Sequence, residues 1–114
     1  MKPVQFSIDE FIAINNLDLI EKIISQLNKD FNLSGNDFEL EADLSPQQLI
    51  ESLGNFVRDS LEKNVEGLMN LLYRIDVPES EMREAFKEIN QLDEKLVYII
   101  LSKEYFKIYF RNRN

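Results

Sequence analysis

Two stretches of helical periodicity, one on each side of Val77-Pro78, set the shape this chain can take. In the second, Met82, Ala85, Ile89, Leu92, Leu96, Ile99, Lys103, Phe106 and Phe110 recur at alternating three- and four-residue spacing, and Lys103 is the one polar member. In the first, Ile50, Gly54, Val57, Leu61, Asn64, Leu68, Leu71 and Ile75 follow the same spacing. That spacing gathers apolar side chains into one stripe along a helix, to be buried against a partner helix. The expected fold is all-α, a long antiparallel helical hairpin with arms at about 46–76 and 79–111.

Local signals support the ends of these arms. Ser45-Pro46-Gln47-Gln48 combines a serine N-cap, proline at the first helical position and glutamine at the third, with Leu44 and Leu49 placed to clamp the turn. Val77-Pro78 breaks the first arm, and Pro78 can open the second. A smaller N-terminal helical layer is expected at about 8–14 and 17–30. Ser7-Ile8-Asp9-Glu10 has the form of a capping box, flanked by Phe6 and Phe11. Asn16 can cap a second helix whose one face carries Leu17, Ile20, Ile24 and Leu27.

Between these layers, Ser34-Gly35-Asn36-Asp37 is a turn composition. Phe38, Leu40, Ala42 and Leu44 then alternate with acidic residues, which predicts an extended connector over 32–45 laying alternate side chains on the helices. The alternative, a ribbon pairing Phe31 and Leu33 with Phe38 and Leu40, would be marginal alone. More than about 60% of the chain should be helical, against a usual share of about 30–35%. With no repeat or linker, residues 1–114 form one domain.

The chain has no cysteine and no histidine. That excludes disulfides, thiolate nucleophiles, thiolate metal sites, the commonest general base and the Glu-x-x-His pairs of di-iron bundles. Only carboxylates remain for a metal. Glu62 and Glu66, like Glu84 and Glu88, lie one turn apart and off the apolar stripes, where a solvated face is the simpler reading. No enzyme activity, cofactor or metal is expected. Asn64 on the first stripe either fixes helix register through a buried hydrogen bond or lies at the edge of the contact. Gly54 on the same stripe allows a neighbouring helix to approach, and Gly67 marks a weak point in the arm.

Charge is unevenly placed. Residues 1–94 carry 8 basic and 20 acidic side chains, whereas 95–114 carry 5 basic and 1 acidic, for a net −8. An acidic body argues against nucleic acid, which needs a dense cationic surface. The segment from Lys103 to Asn114 mixes cations with aromatics, as single-strand binders do, but Phe106 and Phe110 belong to the stripe and the cations suit a helix C-terminus. The longest apolar run, Leu96 to Leu101, is far short of the roughly 20 residues that span a bilayer, and Asp9-Glu10 interrupts any leader-like run. A cytoplasmic protein without a membrane partner is expected. Frequent Asn, Ile and Lys with three alanines make the chain similar to small helical proteins of AT-rich bacterial genomes, a resemblance that implies no activity.

Two apolar surfaces lie off the stripes. From Val97 onward, Val97, Tyr98, Leu101, Tyr105, Ile108 and Tyr109 form a second face nearly opposite the first. A helix over 17–31 can cover it within the chain; a second subunit is the alternative. Arms of about 45 Å outrun that helix, which reaches about 22 Å. The end near Val77 would then leave Val65, Met69, Leu72 and Phe86 less protected, as an association surface. The expected function is a non-enzymatic helical protein–protein interaction module that self-associates as a homodimer. The alternative is a small acidic inhibitor, of the immunity-protein kind, that binds a basic protein.

Overall fold

The computed structural model describes residues 16–111 together with Ile12. Of the expected helix over 8–14 only Ile12, which is helical, is among the described residues; the rest and its Ser7 cap lie outside them. Five helices follow in order: α1 (Leu17–Leu33), α2 (Pro46–Lys63), α3 (Val65–Arg74), α4 (Glu79–Phe86) and α5 (Leu92–Arg111). Helix accounts for 76% of the described residues, among which there is no strand.

Where the end signals are local, the helices start as expected. Asn16 accepts the Leu19 amide at 3.1 Å and opens α1. At α2 the Ser45 hydroxyl accepts the Gln48 amide at 3.1 Å, while the Gln48 side chain accepts the Ser45 N–H at 2.9 Å. Each bond satisfies a donor that the first turn leaves without an intrahelical partner. Pro78 opens α4, its carbonyl accepting from Glu81 and Met82.

Both long arms are interrupted. Asn64 ends α2 and caps α3 at once: its N–H still donates to Ser60 O, while its side chain accepts the Gly67 amide at 3.1 Å. It is exposed, so its role is at the helix end and not in a buried register bond. Gly67 is what lets the junction close. A Cβ there would meet the Asn64 amide group and come within 2.6 Å of Asn36 Oδ1. The second arm breaks over 87–91, where Gln91 takes a positive φ of 62° and Ile89, expected on the buried stripe, is 83% exposed. With both arms divided, the molecule measures 34 × 34 × 24 Å, too short for an unbroken 45 Å arm.

Helix α5 occupies the centre, packing on α1, α2 and α4, while α3 packs on α2 and α1. Centrality explains why α5 buries Leu92, Leu96, Val97, Ile99, Ile100, Leu101 and Ile108, which do not share one face. The connector between α1 and α2 contains no strand and starts later than expected, since Asn32 and Leu33 still belong to α1; Phe38, Leu40 and Leu44 turn inward, whereas Ala42, in a turn, is exposed. Asn28 holds its backbone as a strand neighbour would, donating to Leu40 O at 2.9 Å and accepting the Leu40 amide at 2.7 Å. Phe38 reaches inward to Phe31 and Phe56, with ring centroids 5.0 and 4.9 Å away. Asn36 ties the start of the connector to α3 through Gly67 O at 3.0 Å.

Candidate functional site

Two arrangements stand out, one inside the molecule and one on its surface. Inside, Asp30 in the last turn of α1 and Glu104 in the middle of α5 are both 0% exposed. Gln26, one turn before Asp30, donates to both of its oxygens at 3.2 Å. Arg74, at the end of α3, reaches Oδ1 at 3.4 Å, and Lys107 reaches Oδ2 at 3.4 Å. Lys107 also lies 3.5 Å from Glu104 Oε1, yet neither Glu104 oxygen accepts a hydrogen bond.

An ionised carboxylate is disfavoured at Glu104, because burial strips its hydration and a lysine shared with Asp30 offsets only part of that loss. Burial, then the hydrogen bond and charge of Asp30, push the Glu104 pKa up to about 9, against a smaller opposing effect of Lys107. Glu104 is therefore held in its neutral, protonated form beside Asp30. For Asp30 burial also acts upward, but the bonds from Glu104 and Gln26 and the Lys107 charge outweigh it and hold that carboxyl below its ordinary value. The pair is one anion and one neutral acid. In an open cleft such a pair could serve acid–base chemistry. Here neither side chain is exposed.

On the surface, α4 and α5 border a groove of about 550 Å³. Ala85, Tyr98 and Ile99 supply apolar lining, and Glu81, Glu84, Glu88 and Glu94 supply carboxylates. Three of these acids rest on lysines of the chain: Glu81 with Lys103 at 3.2 Å, Glu84 with Lys87 at 3.3 Å and Glu88 with Lys95 at 3.1 Å. Glu84 and Lys87 are both exposed, whereas Lys95, Lys103 and Glu81 are half-buried, and surface pairs of this kind are weak, roughly 0–1 kcal/mol each. A second cleft, of about 410 Å³, lies between α2 and α5 beside Gly54. The space next to Gly54 is taken by the Arg58 guanidinium, 3.1 Å from where a Cβ would be, and not by a neighbouring helix. Arg58 then pairs with Asp93 at 2.9 Å, and that hydrogen bond leads the forces that lower the Asp93 pKa.

The expected association surface is only partly open. Leu72 is fully buried and cannot belong to it; Met69 and Phe86 are half-buried, and Val65 alone is exposed, at 46%. Division of the arms removes the length mismatch from which that surface was expected. On the second face, Val97, Leu101 and Ile108 are buried, Tyr98 and Tyr105 half-buried and Tyr109 exposed. Helix α1 lies along this part of α5, with Arg111 reaching Gln26 at 3.3 Å. Glu62 and Glu66 are exposed, and among the described residues no three acidic side chains are grouped to hold a metal ion.

Periodicity does not single out Asp30 or Glu104, although both carry a signal. Asp30 follows Ile23, Ile24 and Leu27 and precedes Phe31 on the buried face of α1, and Glu104 falls between Leu101 and Ile108 on the second face of α5. An acid in an apolar slot on each of two helices is the trace such a pair leaves. No family model, no curated protein and no solved structure matches this chain.

Proposed function

We propose that the chain is a non-enzymatic protein-binding module whose α4–α5 groove takes a basic, partly apolar segment of another protein. The observation that carries this is the groove itself, with carboxylates at Glu81, Glu84, Glu88 and Glu94 around Ala85, Tyr98 and Ile99. A lysine or arginine side chain suits such a surface at both ends, its stem on the apolar lining and its head among the acids. The lysines already present are no obstacle, since exposed pairs exchange partners at little cost. Net charge of −8 adds steering at a distance and hastens encounter with a cationic partner.

The test uses the full chain and a synthetic amphipathic peptide bearing lysines on one face. Binding should weaken as salt rises, because exposed charges are screened over about 8 Å at 0.15 M. It should weaken by roughly tenfold or more in Glu84→Lys/Glu88→Lys, where two attractions become repulsions, a change of about 1.4 kcal/mol or more in total. Binding indifferent to both salt and charge reversal would refute the groove as the site.

A second reading, self-association, draws on α3. Val65, Met69 and Tyr73 recur at four-residue spacing, the first and last exposed, so that they form a short strip. This strip spans only about 12 Å, and a stable dimer needs roughly 1,000 Å² of buried surface. A homodimer through it would be weak, which places this reading second.

A further inference from the structure

We propose that the seam between α1 and α5 is held shut by a single proton shared between Asp30 and Glu104, and that losing it opens this end of the molecule. The charged and polar groups around the pair come from three helices. Helix α1 supplies Asp30 and Gln26, α3 supplies Arg74, and α5 supplies Glu104, Lys107 and, through Gln26, Arg111. From α4, Glu81 is engaged by Lys103. From α2, Arg58 is engaged by Asp93, about 16 Å along α5 from Glu104.

Counted alone, two cations could balance two anions, yet the geometry does not allow it. Arg74 reaches only Asp30, and its side chain is 44% exposed. Lys107 divides itself between both acids at 3.4 and 3.5 Å, and it gives Glu104 no hydrogen bond. Ionised, Glu104 would be a second buried anion beside Asp30 with only the shared Lys107 near it, and separation of the helices would be the way to hydrate it. Protonated, it carries no charge to hydrate and can donate to Asp30. The last turn of α1 contains no basic residue and ends in backbone carbonyls, so the helix adds to the negative potential there.

The direction of the pH effect follows. Glu104 titrates at its ordinary 4.5 when unfolded and at about 9 when folded. Its contribution is complete below the lower value and is lost progressively as pH rises towards the upper one. Asp30 has the opposite sense, its contribution being lost as pH falls through its lowered value, so it acts below this window. Between about pH 6 and about pH 8 the folding equilibrium constant should therefore fall by about tenfold per pH unit, corresponding to release of one proton on unfolding.

The experiment is urea unfolding of the full chain across that range, for wild type and Glu104→Gln. The amide introduced by this substitution can donate to Asp30 without titrating, so the variant should show a nearly flat profile and exceed wild type at the alkaline end. A variant that keeps the wild-type slope overturns the proposal. Should Glu104→Gln fail to fold, infrared spectroscopy of wild type decides: the carbonyl stretch of a protonated carboxylic acid must be present at neutral pH and vanish on alkaline titration together with protection of the α1 and α5 amides. Absence of that band at neutral pH overturns the proposal as well.

Discussion

Gly67 shows how one missing side chain can fix a helix junction. By helix propensity alone, Gly67→Ala should stabilise α3 by about 1 kcal/mol. The new methyl, however, would fall on the Asn64 amide group and within 2.6 Å of Asn36 Oδ1, disturbing both the cap of α3 and the tie to the connector. Overpacking of this kind costs about 1–3 kcal/mol and a lost cap about 1 kcal/mol, so the net effect should be a destabilisation of about 1–3 kcal/mol in urea unfolding. A stabilised variant would show that Asn64 and Asn36 can step aside. Sequence periodicity could not show this requirement, because Asn36 lies 31 positions away in the chain. Asp30 and Glu104 were hidden for the same reason. Each sits in an apolar slot of its own helix, but burial of either depends on the other, 74 positions away, and a lone acid among apolar residues reads as the edge of a stripe.

At the level of elements, the ends that local chemistry decides were readable, and those that packing decides were not. Ser45 and Pro78 act within their own turns, and the helices begin where they stand. Asn64 also had the means to cap a helix, but the apolar rhythm runs from Leu61 to Leu68 without a change of phase and concealed the break. The stretch 87–91 has no glycine or proline, and Gln91 holds its positive φ without the residue types that favour it. The connector was readable as extended through its alternation, though not what holds it there. Asn28 does so from within α1, by two bonds to the Leu40 backbone. Asn28→Ala should release that backbone from its partner, with a loss of about 1–2 kcal/mol and faster hydrogen exchange at Leu40 than at the α1 amides. Unchanged protection of Leu40 would mean that the Phe31, Phe38 and Phe56 rings hold the connector unaided.

On the scale of the whole molecule, the two candidate surfaces lie on different helices and can be separated by substitution. The groove is bordered by α4 and α5, whereas Val65, Met69 and Tyr73 belong to α3. Val65→Glu places an acid in the first turn of α3, where the helix dipole favours it, so folding should be preserved. Met69→Glu is harsher, since Met69 packs against the core, and it serves only if the variant unfolds as cooperatively as wild type. If copies associate through this strip, a carboxylate from each copy would face the contact, and any dimer seen by light scattering at tens of micromolar should be lost in Val65→Glu. Peptide binding in the groove should persist in that variant, because no residue of the groove has changed. Glu84→Lys/Glu88→Lys should do the reverse, weakening the peptide and leaving the association state as in wild type. If Val65→Glu weakened the peptide as strongly as the groove reversal does, binding would have to spread over α3, and the α4–α5 groove could not be the site by itself.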